Sequence, residues 1–466
     1  MSSTAQDKDD WLRPALAAVA AWIEYQMRST QQVGCALAVA RGGEVVFERA
    51  FGLADLGTGE PLTPRHRFRV ASHSKAFTAA GVMVLRERGL LGLDDAAGRH
   101  VPGLHPDAAA ATIGQLLSHS AGVTRDGPDS GQFTDERPFP DAAEVLAALA
   151  EAPPIPAASR FKYSNHGYAL LGLVIEAVTG EPFADWMRRE VVGAFGLRET
   201  EPDMPSLPPG APFARGHTGR LLLGERRVIP CDFEARAVAP AAGFVSTAAD
   251  LARFFARLAP DAAGGGGPLS AASRRETTRR HWRVPHPAFE MGYGLGTSNG
   301  AVNGWEWFGH GGRVQGTMSC TAAVPEPGIA LSVLVNGMDG LAAPWVDGAL
   351  RLLQAHAKRG APKPELADWT GRWWSSWGAV DLLPMGDRVL VAIPAFLNPL
   401  MEALEIEVLG EDRGRVAYAP GYGSHGEEAR LVRDGGGRVV EVRIGGGRGV
   451  PEAVAAAELG ALYPPA

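Results

Sequence analysis

Ser72-His73-Ser74-Lys75 opens a predicted helix and carries the most specific chemistry in this chain. Its serine and lysine stand three positions apart, so on a helix their side chains share one face within hydrogen-bond reach. Lysine is rare here, because only five of the 45 basic residues are Lys. Unlike arginine, a buried lysine can lose its proton and act as a base. The motif therefore predicts a serine nucleophile, Ser72, with Lys75 as its activator.

The helix prediction rests on the apolar residues that follow the motif. They have helical spacing, at Phe77, Ala80, Gly81, Val84 and Leu85. Gly89 is a typical helix stop, so the spacing predicts a helix that begins near Ser72 and ends at Gly89. Ser72 is then expected in the first turn, where unpaired backbone N–H groups and the positive end of the helix dipole favour a developing oxyanion.

A second motif, Tyr163-Ser164-Asn165, opens another predicted helix. The segment that follows carries almost no charge, which is typical of a buried helix. Its first turn is expected to present a phenol and an amide at the edge of the core.

A third motif, His310-Gly311-Gly312, lies between a cluster of aromatic residues and a strand-like apolar run at 317–324. The run has the β-branched and apolar composition that favours a strand. An imidazole and two glycines are therefore expected beside a strand of the sheet.

These motifs, with four supporting segments, resemble the serine β-lactamase and penicillin-binding-protein superfamily, on its class C, family VIII esterase and D-aminopeptidase side. The supporting segments occur in the family's order, at 116–122, 161–172, 240–247 and 292–296. The resemblance spans residues from about 10 to 358. It implies an α+β fold, in which a transpeptidase-like antiparallel sheet is flanked by helices and joined by a helical subdomain at about 90 to 240.

The resemblance also implies roles for the first two motifs. Ser72 is expected to form an acyl-enzyme, Lys75 and Tyr163 to share the proton transfers, and Asn165 to hold Lys75 and the substrate amide. Which member of the Lys–Tyr pair is the base stays open at this point. A nearby ammonium lowers a tyrosine pKa, a phenolate raises a lysine pKa, and the two groups titrate as a unit.

His310 falls where many family members place the Lys of a Lys-Thr-Gly triplet, and the backbone N–H of Arg313 is implied to join that of Ser72 in the oxyanion hole. Histidine titrates near pH 6.5 and is largely neutral above it, so strong capture of a substrate carboxylate is not expected. With Gly311 and Gly312 completing the triplet, the site suits esters, amides or D-amino-acid derivatives better than β-lactams. If His310 must hold one protonation state, kcat/KM should bend between about pH 6 and 7.

Other sequence features are assigned no chemistry. His119 and Ser120 lack an evident acidic partner and read as a helix end and turn. His281 and His286 lack the helical spacing or nearby cysteines that zinc sites favour, so no metal is expected. The glycines at 292–296 do not lead from a strand into a helix, and no P-loop occurs, so no cofactor is expected.

Composition restricts the function classes further. The chain has 466 residues, 45% of them hydrophobic, and a net charge of -7, which indicates a large core and gives no reason to expect nucleic-acid binding. Three cysteines are an odd number, so free thiols in a reducing compartment are predicted. Acidic residues at 7–10 disfavour a secretory signal, and no apolar run approaches the ~18 residues of a membrane span. A cytoplasmic enzyme, rather than a cell-wall transpeptidase, is the prediction.

The predicted domains are a hydrolase domain at 1–358, a linker at 359–365 and an antiparallel barrel-like domain at 366–466. Short strand-like runs recur at roughly ten-residue spacing in the last segment, between glycine-rich turns, as is typical of a small all-β domain. The segment resembles the lipocalin-like domains that follow the catalytic domain in some D-aminopeptidase relatives. Its clustered tryptophans are predicted to form its core or the seam to the first domain, and they are Trp369, Trp373, Trp374 and Trp377.

The sequence therefore predicts a metal-independent serine hydrolase that cleaves small esters or D-amino-acid peptides and amides through an acyl-enzyme on Ser72. One alternative is β-lactamase or penicillin-binding carboxypeptidase activity on the same scaffold. Another is a catalytically silent binding protein, because folds host many functions. A homo-oligomer is compatible with the sequence, whereas the substrate and its chirality are left open.

Overall fold

A computed structural model describes residues 11–262, 267–286, 290–421 and 423–465. The acidic residues at 7–10, used above against a secretory signal, lie outside the described residues. The internal contacts divide the chain into two compact units, Gln32–Val346 and the combination of Met1–Gln31 with Asp347–Ala466. The first helix thus groups with the C-terminal unit, while the boundaries 1–358, 359–365 and 366–466 stay predictions.

The helices, in chain order, are α1 (Leu12–Thr30), α2 (Ser74–Glu87), α3 (Pro106–Ala110), α4 (Ile113–Leu117), α5 (Ala142–Leu149), α6 (Asn165–Thr179), α7 (Phe183–Met187), α8 (Arg220–Leu223), α9 (Ala239–Ala242), α10 (Ala248–Leu258), α11 (Ala271–Thr278), α12 (Ala342–Arg359) and α13 (Glu452–Leu462). The strands of the first unit are β1 (Gly34–Arg41), β2 (Glu44–Asp55), β3 (Glu60–Pro61), β4 (Phe68–Arg69), β5 (Gly216–His217), β6 (Val228–Ile229), β7 (Val245–Ser246), β8 (Trp282–Val284), β9 (Met291–Tyr293), β10 (Ser298–Val302), β11 (Trp305–Val314), β12 (Thr317–Val324) and β13 (Ile329–Val335). The strands of the C-terminal unit are β14 (Gly371–Ser375), β15 (Gly378–Met385), β16 (Arg388–Ala392), β17 (Leu404–Val408), β18 (Arg413–Tyr418), β19 (Glu428–Arg433), β20 (Val439–Ile444) and β21 (Gly447–Gly449).

A nine-stranded antiparallel sheet forms the centre of the Gln32–Val346 unit, in the order β3-β2-β1-β13-β12-β11-β10-β9-β8. Strand, turn, strand patterns at 35–51 and 317–335 predict two hairpins. They are β1–β2 and β12–β13, and they meet because β1 pairs with β13 from Cys35↔Val335 to Arg41↔Ile329. All seven residues of β13 are buried, as expected for a continuous apolar run at the middle of a covered sheet. Helix α10 packs across β1, β12 and β13. The predicted α+β class is confirmed.

Helices α3 to α9 and their connecting segments form the helical part between β4 and β7. Helix α6 is its central element, because it packs against α2, α4, α5 and α9, and ten of its fifteen residues are buried. The low charge of this segment, noted above, is thus explained by its burial on several sides.

The C-terminal unit contains an eight-stranded antiparallel sheet in which β14 to β21 follow in sequence order. A bridge between Trp374 and Val450 brings the first strand to the end of the last, so the sheet is a nearly closed barrel, and the predicted all-β domain is confirmed. Trp369 and Trp373 are buried in its core, as predicted. The prediction is wrong for Trp377, which is 99% exposed because it lies in the tight turn between β14 and β15.

The expectations about cysteines and membrane-spanning segments can be compared with the structure. Cys35 and Cys231 are buried and Cys320 is half-buried, and each is a free thiol. Among the helices of the described ranges, none has the length and apolar character needed to cross a membrane.

Candidate active site

Ser72 lies in a 3₁₀ turn, Ala71–His73, that leads directly into α2. The sequence placed it in the first turn of the α-helix itself, and the difference arises at Ala71, whose φ of 47° is left-handed. That conformation is costly for a residue with a Cβ and is found mainly where the surroundings impose it, as at active sites. Ser72 is half-buried.

Lys75 is fully buried in the first turn of α2, and its Nζ is surrounded by oxygen atoms. Nζ lies 3.2 Å from Ser72 Oγ, 2.8 Å from Asn165 Oδ1 and 2.8 Å from the backbone oxygen of Ala241. Burial holds the pKa of Lys75 well below its ordinary value, because the charged form loses its hydration and the neighbouring Asp126 only partly compensates. The amine is therefore available as a neutral base.

Tyr163 stands just before α6, and its hydroxyl donates to Ser72 Oγ at 2.8 Å. Ser164, rather than Tyr163, caps the helix, since its side chain accepts the N–H of Gly167. Burial raises the pKa of Tyr163 above its ordinary value, and the hydrogen bond to Ser72 offsets this only in part. The phenol therefore keeps its proton in the resting site.

The directions of the two pKa shifts favour one arrangement of protons around Ser72. A neutral amine has two N–H bonds and one lone pair. Its two closest neighbours, Asn165 Oδ1 and the Ala241 oxygen, accept the two N–H bonds, which leaves the lone pair for the Ser72 hydroxyl proton. The phenol of Tyr163 donates to the same oxygen. Ser72 Oγ is thus the point where an amine and a phenol converge.

Asn165 is held by Asp126, a residue that sequence reasoning missed. Asn165 Nδ2 donates to Asp126 Oδ1 at 2.6 Å, which orients the amide so that its oxygen faces Lys75. The carboxylate is only 11% exposed and also pairs with Arg125 Nε at 3.0 Å. No motif marks this aspartate in the sequence, because it comes from a loop that precedes α6 by many residues.

The third motif lies within β11, on the side that faces the nucleophile. Pairing between β10 and β11 ends at Ser298↔Gly309, so the backbone beyond Gly309 borders the site. A Cβ on Gly312 would lie 2.2 Å from the Val70 oxygen, so glycine permits the close approach of β11 to the Ser72 turn. Val314 and Thr317 are the last pair of the hairpin between β11 and β12. Backbone N–H groups point alternately to the two sides of an antiparallel strand, so the N–H of Arg313 points away from β12 and toward this edge.

His310 is 5% exposed, and both of its ring nitrogens have partners. Nδ1 lies 2.6 Å from the Gly311 oxygen, and Nε2 lies 3.0 Å from the hydroxyl of Tyr293. The carbonyl can only accept, so Nδ1 carries the proton and Nε2 accepts from the phenol. Tyr293 was quoted in the sequence only as part of a supporting segment, and the structure makes it a direct partner of the motif.

The expected titration of His310 near pH 6.5 is wrong. Burial, together with the nearby His73 and Lys75, lowers its pKa to about 3. A pKa this low favours the neutral imidazole at neutral pH. The expectation of weak carboxylate capture becomes stronger, because neither ring nitrogen is left for a substrate carboxylate.

The supporting glycine segment has a packing role beside Lys75. Gly296 has a φ of 73°, and a Cβ there would lie 2.6 Å from the backbone oxygen of Lys75. The segment therefore reaches the first turn of α2 because it lacks side chains, not because it binds a nucleotide.

Other residues considered in the sequence have partners other than Ser72. Ser120 Oγ lies 3.1 Å from Ser118 Oγ, and His119 Nδ1 accepts the N–H of Ser164. His281 Nε2 contacts the Glu276 oxygen. Across the described part of the chain, no group of three or more His, Cys, Asp or Glu side chains is arranged to hold a metal ion.

Comparison with known proteins agrees with this geometry. Penicillin-binding protein 4 of Amycolatopsis lactamdurans is 32% identical over 322 residues, which cover 65% of this chain and 81% of that protein. Esterase EstB of Burkholderia gladioli is 35% identical over 191 residues, which cover 37% of this chain and 48% of that protein. A crystal structure of SurE with D-Leu matches with a TM-score of 0.59 and 26% identity over 94% of this chain and 99% of that chain.

The fold and the site together define a serine hydrolase. The Beta-lactamase family model matches residues 19–356, and the chain belongs to that family. The resemblance drawn from the sequence motifs is thereby confirmed. The chain spans about half the length of esterase EstB.

Proposed function

We propose that this protein hydrolyses small esters or D-amino-acid amides and peptides through an acyl-enzyme on Ser72. The observation that carries the proposal is the convergence of Lys75 Nζ and the Tyr163 hydroxyl on Ser72 Oγ, at 3.2 and 2.8 Å. A serine hydroxyl is a weak nucleophile unless a base removes its proton, and the buried amine provides that base.

Acylation begins when Ser72 Oγ attacks the substrate carbonyl carbon and its proton passes to the neutral amine of Lys75. The resulting ammonium is stabilised by Asn165 Oδ1, by the Ala241 oxygen and by the ring of Tyr163, whose centroid is 4.7 Å from Nζ. The carbonyl oxygen, now negative, accepts the backbone N–H groups of Ser72 and Arg313. These donors need no reorganisation, because the turn and the strand hold them.

The leaving group then needs a proton. Tyr163 gives its phenolic proton to the leaving oxygen or nitrogen and receives the proton held by Lys75, so the amine returns to its neutral form. In deacylation a water molecule replaces the leaving group, gives one proton to the same pair and attacks the ester carbon, and Ser72 recovers its proton. The raised pKa of Tyr163 supports this relay role, because the phenol is protonated before the reaction begins and does not act as a phenolate base.

The substrate class follows from the neutral state of His310. A β-lactam or peptide carboxylate requires a cation, whereas this imidazole is uncharged and both nitrogens are engaged. Neutral acyl groups are therefore favoured. The relatives support the same two classes, because one is an esterase and another was crystallised with D-Leu.

A substrate panel tests the proposal. We expect turnover of p-nitrophenyl acetate or of a D-amino-acid amide, and an adduct on Ser72 from a fluorophosphonate. No lasting adduct is expected from a cephalosporin, since its carboxylate finds no cation at His310. Intact-mass analysis and steady-state kinetics measure both outcomes, with the L-amino-acid amide as the matched control for chirality. A lasting cephalosporin adduct points to the penicillin-binding alternative, and no adduct from any reagent points to a silent binding protein.

The pH dependence provides an independent prediction. Because the pKa of His310 is lowered to about 3, kcat/KM should show no inflection between about pH 6 and 7 that depends on this residue. Activity should instead be lost as the pH falls through the lowered pKa of Lys75, because the base must be unprotonated. The profiles of the wild type and His310→Gln, which keeps an acceptor for Tyr293, should have the same shape. An inflection that the wild type shows and the variant lacks contradicts this.

A cytoplasmic location and a homo-oligomer stay predictions. The three free cysteines support the first, because free thiols are typical of reducing compartments.

A further inference from the structure

His119 holds both residues that flank Tyr163. Its backbone oxygen accepts the N–H of Lys162 at 2.7 Å, and its ring Nδ1 accepts the N–H of Ser164 at 3.1 Å. The two contacts come from one residue because His119 has a left-handed backbone, with a φ of 58°. A non-glycine residue in that region needs a specific reason, and here it brings the carbonyl and the ring to the same segment.

The ring of His119 also packs directly on the ring of Tyr163. Their centroids are 4.2 Å apart with an interplanar angle of 39°. Tyr168 and Tyr293 surround the rest of the imidazole, with centroids at 5.1 and 4.8 Å. His119 is 1% exposed, so the phenol ring of Tyr163 rests against a rigid, dry surface.

The protonation of His119 follows from these contacts. Nδ1 accepts a backbone N–H, so the proton of the neutral ring is on Nε2. Burial, with the nearby Lys75 and His310, lowers the pKa of His119 well below its ordinary value, so the ring stays neutral. Nε2 has no hydrogen-bond partner among the described residues, although it is buried. A polar group buried in this way is costly, which argues that the ring is retained for more than packing.

The alternative is that His119 only stabilises the start of α6. That end of the helix is already secured without it, because Ser164 Oγ accepts the N–H of Gly167 and donates to the Thr124 oxygen. What His119 adds is the orientation of Tyr163, through its neighbours in the chain and through its ring.

We propose that His119 is a positioning residue for catalysis, which holds the hydroxyl of Tyr163 against Ser72 Oγ without touching the reacting atoms itself. This inference rests on the proposed function, because it gives His119 its effect through the proton relay of Tyr163.

Two substitutions separate orientation from packing. His119→Asn keeps an acceptor at the position of Nδ1 and tolerates the left-handed backbone, whereas His119→Leu fills space but cannot accept the Ser164 N–H. We expect His119→Leu to lower kcat about tenfold or more. Proton transfer by a positioned group contributes roughly 10²- to 10⁴-fold to the rate, and this substitution should remove a part of that contribution. KM should change little, and His119→Asn should restore most of kcat. Steady-state kinetics with p-nitrophenyl acetate measure both.

The decisive control repeats His119→Leu in a Tyr163→Phe background. If His119 acts through the phenol, the leucine substitution should cost little there, because residues that act as a unit are not additive. Equal losses in both backgrounds, equal losses for Asn and Leu, or a leucine variant as active as the wild type each overturn the inference. If His119→Leu does not fold, His119→Phe takes its place, because it also fills the space and cannot accept the Ser164 N–H. An inactive wild type instead overturns the proposed function.

Discussion

Ser72→Ala is expected to abolish ester and amide turnover, with kcat reduced by about 10⁴- to 10⁶-fold. Lys75 Nζ and the Tyr163 hydroxyl both approach Ser72 Oγ, at 3.2 and 2.8 Å, so its removal leaves the amine and the phenol without a nucleophile to activate. The backbone N–H of residue 72 remains, and one oxygen is lost from a half-buried side chain. Substrate binding and folding should therefore be largely retained.

Steady-state kinetics and intact-mass analysis after fluorophosphonate treatment measure the effect of Ser72→Ala. Ser120→Ala is the matched control, because Ser120 also stands beside a histidine in the sequence but its hydroxyl lies against that of Ser118. The control should keep its activity and its adduct. An adduct that persists in Ser72→Ala, or is lost in Ser120→Ala, would place the nucleophile elsewhere and falsify the assignment.

Lys75→Met is expected to lower kcat/KM by about 10²- to 10⁴-fold, which is the contribution of a general base. Lys75→Arg should fail as well, because a guanidinium keeps its proton and cannot take one from Ser72. Loss of Nζ also leaves Asn165 Oδ1 and the Ala241 oxygen without their donor. A lower thermal midpoint is therefore expected for the methionine variant, since buried acceptors are costly when unpaired.

Kinetics at several pH values and thermal unfolding separate the two effects of Lys75→Met. Lys162→Met is the matched control, because this lysine is nearby and half-buried but contacts the site through its backbone. It should keep nearly wild-type kcat/KM. Wild-type rates in Lys75→Arg would show that deprotonation of residue 75 is not required, and the proton relay would have to begin at Tyr163.

Much of the catalytic domain could be predicted because the signals are local. The hairpins at 34–55 and 317–335 follow from apolar alternation and turn residues, and both occur as predicted. The Ser72 and Lys75 pair follows from the i, i+3 spacing, which survives although Ser72 occupies a 3₁₀ turn. The roles of Tyr163 and Asn165 came from family resemblance, since 91 residues separate Tyr163 from Ser72 along the chain.

Predictions that depended on environment were less accurate. His310 was expected to titrate near neutrality, but burial, together with the nearby His73 and Lys75, lowers its pKa to about 3. Trp377 was expected in a core or seam and is exposed, because composition does not reveal which residue occupies a turn tip. Asp126 and the Ala241 oxygen were not identified as site groups, since neither carries a motif and both reach the site only after the helical part has folded.

The sequence alone was enough to predict the nucleophile and its nearest base. Two residues three positions apart on one helical turn have side chains close together, whatever surrounds them. Their protonation states required the folded molecule. Desolvation of Lys75, Tyr163 and His310 is produced by segments far away in the chain, and it is the exclusion of water that turns a lysine into a neutral amine and keeps a tyrosine protonated. The same holds for His119, because its hydrogen bonds to Lys162 and Ser164, the two neighbours of Tyr163, form only when the two segments have packed together.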